Sequence, residues 1–164
     1  MSETNYDSRP DTLDHIYNVS KTLEFFYSLL ARRGIWHDDS KLRSPEKEIF
    51  DIYTPKLKGT TYGSDEYKQY LKEMQVALDH HYKVNRHHPE HFGEKGIKGM
   101  NLVDLVEMFC DWYAATKRHA DGDIRKSIKF NQGRFGYSED LEQILQNTVE
   151  LLEEKYNVST SQTQ

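Results

Sequence analysis

Four groups of residues in this chain could do chemistry. His15 falls in the opening turn of an amphipathic stretch. His37 and Asp38 are adjacent, and Asp39, Ser40 and Lys41 follow them. Five histidines, His80, His81, His87, His88 and His91, are packed into twelve residues. Asp104, Glu107, Asp111 and Arg118 step by three, four and seven, which puts them on one narrow stripe of a helix. Imidazole nitrogens mixed with carboxylate oxygens suit divalent Mn, Fe, Co, Ni or Zn. Cys110 is the only cysteine, so a thiolate zinc cluster and an intrachain disulfide are both excluded. The expectation is that these scattered groups converge on one metal site. Each also has a plainer reading. An acidic stripe is commonly a solvated face, a lone His15 a boundary residue, and an inward His81 a hydrogen-bonded core residue. His80, His87 and His119 default to surface or supporting roles. The density of histidines between 80 and 91 is what favours the metal.

The elements that must position these groups read as helices. Leu13, Ile16, Val19, Leu23, Phe26 and Leu30 give one buried face to a helix from Asp11 or Thr12 to about Arg33, with Gly34 as its stop. Ser44-Pro45-Glu46 starts a short second helix that ends before Pro55, and 56–63 reads as loop. Ser64 caps a third, in which Tyr67, Tyr70, Leu71, Met74, Leu78 and His81 share the inner stripe. Residues 82–99 read as an irregular connection. Asn101 opens an apolar helix reaching about His119, with Asp104 three residues past the cap. A helix so apolar should be central, so its acidic stripe should border a cavity. Asp121-Gly-Asp123 starts a helix that Gly133 stops. Ser138-Glu-Asp140 caps the last, whose stripe is Leu141, Ile144, Leu145, Val149 and Leu152. The fold class is therefore all-α, a single domain of about six helices. It spans 11–156, between a flexible N-terminus (1–10) and a disordered polar tail (157–164).

At 164 residues with a 36% hydrophobic fraction, the chain can bury one real core. Its formal net charge of -5 argues against a general nucleic-acid coat, which needs a basic surface. The start, MSETNYDSRP, has no basic region followed by an apolar run, so no signal peptide is expected, and no apolar run is long enough to span a membrane. A cytoplasmic protein is the expectation, and a homodimer is compatible with the apolar helices.

His15, then His37-Asp38, then Asp111, each on a helix or helix end, resembles the HD-domain superfamily of metal-dependent phosphohydrolases. That resemblance spans roughly residues 12 to 119. It implies an HD-like helical bundle in which His15, His37, Asp38 and Asp111 ligate one divalent metal. Two-metal relatives add histidines between the His-Asp pair and the last aspartate, so His81, His88 and His91 could hold a second ion. The run HHYKVNRHHPEHF, with DLVEMFCDWYAATKRH after it, also resembles an uncharacterised domain family of phages and bacteria. Nucleotidases of the superfamily that act on deoxynucleoside monophosphates carry a glutamate three residues after the His-Asp aspartate. Here that position is Lys41, which resembles subgroups whose lysine contacts a phosphate.

The resemblance implies hydrolysis of a small phosphorylated substrate, such as a nucleoside monophosphate. The metal, one or two ions per chain, would acidify a water and polarise the phosphoryl group. Lys41, Arg86 and Arg118 would bind the phosphate and offset developing charge. Asp39 or Glu107 would accept the proton, although Glu107 could equally orient a ligand histidine. Tyr82, Trp112 and Tyr113 could stack a base. Two other readings compete with the hydrolase: an oxygenase using two irons, and a non-enzymatic helical module that binds a nucleotide or a protein.

Overall fold

The computed structural model describes residues 6–61, 64–118 and 122–161, with side chains to 154. The described residues form helices and no strand. Seven α-helices and two 3-10 segments follow in order: α1 (Arg9–Trp36), a 3-10 turn (Asp39–Leu42), α2 (Glu46–Lys58), α3 (Asp65–Glu73), α4 (Gln75–Val84), a longer 3-10 segment (Pro89–Gly99), α5 (Leu102–Thr116), α6 (Ile124–Phe135) and α7 (Glu139–Ser161). No described helix is long and apolar enough to cross a membrane.

The chain divides into two compact units, 1–37 and 38–164, a boundary inside the stretch that the sequence reads as one domain. The first unit is α1. Pro10 sits in its first turn, where the missing N–H costs nothing. Gly34 does not stop it; the helix runs two residues further and ends at His37, whose ψ of 127° leaves the helical region. Leu13, Ile16, Val19 and Leu23 do lie at helical spacing, but they are exposed, and no residue of α1 is buried.

In the second unit side chains set the starts of α3, α5 and α6, as the sequence implies, whereas α2 has Pro45 rather than Ser44 at its N-cap and no side chain caps it. Ser64 accepts from the Tyr67 backbone N–H, and Asp123 accepts from Arg125 and Lys126. Asn101 and Asp104 form a reciprocal capping box at the head of α5. The ends are less obedient. Pro55 is absorbed into the last turn of α2, which closes at Gly59. The third helix expected from the sequence breaks at Met74 into α3 and α4, which makes seven helices out of six. Gly133 stays helical, and α6 stops instead at Gly136, whose φ of 64° is the left-handed cap that glycine adopts without penalty. The expected helix limits at His119 and Asp121 and part of the 56–63 loop (62–63) lie outside the described residues.

The core joins α5, α6 and α7 through Phe109, Ile124, Ile128, Leu145 and Val149, with Tyr137 donating to the Ile128 carbonyl at 2.5 Å. Trp112 stacks on Phe135, 4° from parallel at 6.2 Å. Trp112 and Tyr113 both pack against this core, which occupies the rings that could have met a base. Met74, Ala77 and Met108 are buried as well.

Candidate metal centre

Three short features bring the cluster together. α4 carries His80 and His81 on its last turns and ends at Asn85, where the chain becomes extended. His87 and His88 lie in the link before the second 3-10 segment, so they turn back onto the end of α4. Asp38 stands just before the first 3-10 turn at φ 57°, ψ 16°, and is the one described non-glycine residue in the left-handed region.

Asp38, His81, His87 and His88 each offer a ligand atom, and these atoms lie within 4.8 Å of one another. Asp38 Oδ1 is 3.3 Å from His81 Nε2 and 3.4 Å from His87 Nε2. His81 Nε2 is 2.9 Å from His88 Nε2. The imidazoles therefore point the same nitrogen at the same place. His81 and His87 are buried, and Asp38 and His88 half-buried. His87 and Asp111 also present ligand atoms within 4.8 Å of each other.

Buried carboxylates stand behind two of these rings. Glu46, the first residue of α2, is fully buried. Its Oε2 is 2.9 Å from His81 Nδ1 and its Oε1 is 2.7 Å from His80 Nδ1. Glu107 Oε1, on α5, is 3.2 Å from His87 Nδ1. A carboxylate that accepts from a ring places the proton on Nδ1 and leaves Nε2 with its lone pair free. Burial, then the rings of His87 and His81, push the His88 imidazole down to about 3. Burial and the Lys41 ammonium lower His81 too, against the opposing pull of Asp38 and Glu46. Both rings are neutral at pH 7, the form that ligates a metal.

The positive groups divide by role. Lys41 Nζ lies 2.6 Å from Asp38 Oδ2, while the other oxygen of that carboxylate faces the imidazoles. Arg86, expected at a phosphate, is committed elsewhere: it forks onto the fully buried Asp104 at 3.1 and 2.9 Å, with its guanidinium over the Phe92 ring. Asp39 pairs with Arg43 at 2.6 Å. Arg118 is exposed just beyond the end of α5.

Of the residues expected to ligate from the resemblance, Asp38 lies in the cluster and Asp111 beside it. His15 is exposed on α1 and His37 closes that helix, both in the first unit. Of the second-metal set, His81 and His88 come together, whereas His91 packs against Phe92 at 4.8 Å and belongs to no such group among the described residues. His87 is the member that sequence reasoning passed over. It lies in a non-repeating segment, where no periodicity indicates direction. The usable signal was Glu107, an acid on the inner stripe of an apolar helix that needed a buried partner.

The arrangement defines a class: an all-helical protein with a buried, carboxylate-backed histidine–aspartate cluster of metal-ligand type. The chain belongs to the family of unknown function DUF5662, whose profile matches residues 4–157. No curated protein and no solved structure matches it.

Proposed function

We propose that this protein is a metal-dependent hydrolase of small phosphoesters, a nucleoside monophosphate being the fitting size, with its divalent ion held by Asp38, His81, His87 and His88. The observation that carries the reading is the convergence of three imidazole nitrogens and a carboxylate oxygen within 4.8 Å. Charge supports it. The carboxylates of Asp38, Glu46 and Glu107 meet the cluster, and Lys41 pairs with Asp38, so the site is rich in the negative charge that a dication would offset. The donor set of nitrogen and hard oxygen fits Mn, Fe, Co, Ni or Zn.

A divalent ion bound there would supply Lewis acidity to a phosphoryl oxygen and acidify a water. The chain's own groups do the rest. Lys41, partly exposed and tethered to Asp38, is placed to bind the anionic phosphoryl group. Of the two carboxylates expected to accept a proton, Glu107 holds the His87 ring and Asp39 is paired with Arg43 at 2.6 Å. Arg86 steadies the segment that carries His87 and His88. Asp111 is a further candidate ligand. His15 and His37, which the resemblance adds, are tested by metal content in their alanine variants.

The deciding experiment is elemental analysis of protein purified without chelator, beside His87→Ala, followed by a phosphomonoester screen. About one equivalent of metal, lost in the variant, together with metal-dependent phosphate release, is expected. A protein that binds no metal after reconstitution overturns the hydrolase and leaves a binding module. Bound iron with substrate-dependent oxygen uptake, and no phosphate release, would move it to the oxygenase class.

A further inference from the structure

Glu46 is a carboxylate where the fold can least tolerate one. It has no solvent exposure, and no lysine or arginine pairs with it among the described residues. Two features make it tenable. It opens α2, where the positive end of the helix dipole favours negative charge. Both of its oxygens also take imidazole protons, one from each of two consecutive residues of α4. Neighbours on one helix are about 100° apart in direction, so a single acceptor reaching both has to sit between them.

The two rings differ in what lies beyond. His80 is more than a third exposed, and its far nitrogen is free to exchange with water. His81 is buried, set edge-on to Phe50 at 6.2 Å, and its far nitrogen faces Asp38 and His88. Asn85 Nδ2 also comes within 2.9 Å of His81 Nδ1, but it donates to Ser40 Oγ and to the His81 carbonyl. A carboxylate is the stronger acceptor for the ring proton, because the bond is charge-assisted.

We infer that Glu46 is the positioning residue of the metal centre: by taking the Nδ1 proton of His81 it fixes that ring's tautomer and orientation, so that Nε2 is presented bare to a divalent cation. This rests on the metal reading above. With His81 Nε2 bare, His88 Nε2 is the donor between the two rings, and His88 would take the other tautomer, its proton moved to Nδ1 through solvent, to offer Nε2 to a cation. His80 is the outer partner, which occupies the second oxygen of Glu46 and keeps the carboxylate from turning away. Glutamine at 46 keeps one acceptor for His81 and loses the charge, since the exposed His80 can switch tautomer to meet the new amide. Methionine keeps the volume and leaves His81 no carboxylate to hold it.

The test titrates Co(II) into metal-free wild type, Glu46→Gln, Glu46→Met and His80→Ala. It reads affinity and the visible spectrum, which reports coordination geometry, with circular dichroism to confirm folding. Affinity should fall about 10-fold in the glutamine variant and about 100-fold in the methionine variant, with shifted bands, the range seen when such outer partners are removed. His80→Ala should lose less than Glu46→Gln. Folded Glu46→Gln with wild-type affinity and spectrum would overturn the inference, and so would His80→Ala as damaging as Glu46→Gln. Wild type that binds no Co(II) fails the metal reading itself, a result distinct from either.

Discussion

Arg86 shows how a residue's chemistry is decided by its partner. As a lone arginine near five histidines it suggests a phosphate ligand, and sequence spacing cannot say otherwise. In the fold it is the counter-ion of Asp104, which has no solvent exposure and whose carboxylate also closes the α5 capping box. Arg86→Met leaves that carboxylate buried without its cation. Breaking a buried pair from one side costs about 3 kcal/mol or more, and the half-exposed guanidinium puts this case at the lower end. Urea unfolding should register a loss of about 2–3 kcal/mol. Metal affinity should fall as well, because His87 and His88 are the next two residues.

At the scale of elements, four beginnings were legible, but the start of α1 at Arg9, ahead of the expected Asp11 or Thr12 cap, the uncapped start of α2 and most endings were not. Caps are local: Ser64, Asn101, Asp123 and Ser138 meet backbone N–H groups two or three residues on, so the sequence alone identifies them. Gly34, Pro55 and Gly133 look like stops, yet each is carried inside a helix. Termination is a competition between one residue's preference and the packing or hydrogen bonding of a whole turn, and about 1 kcal/mol of preference loses that contest. The acidic stripe of α5 was readable for the opposite reason. Three carboxylates on an apolar helix need partners, and Arg86 and His87 supply two of them. The direction of His87 was not readable, because it lies where no helical repeat dictates it. Removing the cap of α5 tests how far this element matters to the site. Asn101→Ala should cost about 1 kcal/mol by chemical denaturation. It should also weaken metal binding, since Glu107 and Asp104 ride on the first two turns.

For the molecule as a whole, the histidine cluster makes stability a function of pH and of metal. His88 and His81 have lowered affinity for protons in the fold, against an ordinary value of 6.5. Below 6.5 the unfolded chain therefore binds protons that the folded chain refuses, and acid favours unfolding. The metal-free protein should keep its full stability above about pH 6.5. It should lose up to about 1.4 kcal/mol per pH unit from His88 as the pH falls from 6.5 towards 3. Thermal melts across that range check this, and a flat profile would place His88 in water rather than in the cluster. Saturation with the cognate divalent ion at 100 times its dissociation constant should add about 2.7 kcal/mol, reversed by chelator. The helical class and the metal-ligand residue types could be foreseen from the sequence. The division after His37 could not, since an amphipathic stripe marks a helix and not the unit it falls in.

Asp38 carries a further consequence. A side chain in the left-handed region at φ 57° stores backbone strain of about 1 kcal/mol, less for Asp than for most residues, and glycine would release it. The same position supplies the cluster's carboxylate oxygen. Asp38→Gly should therefore melt at or above the temperature of the wild type when both are metal-free, and should fall below it once metal is present. A screen that rewarded heat resistance in chelator would enrich glycine at 38 and breed the centre out of the protein. On the metal reading proposed above, aspartate at this position serves the bound state and not the durability of the empty fold.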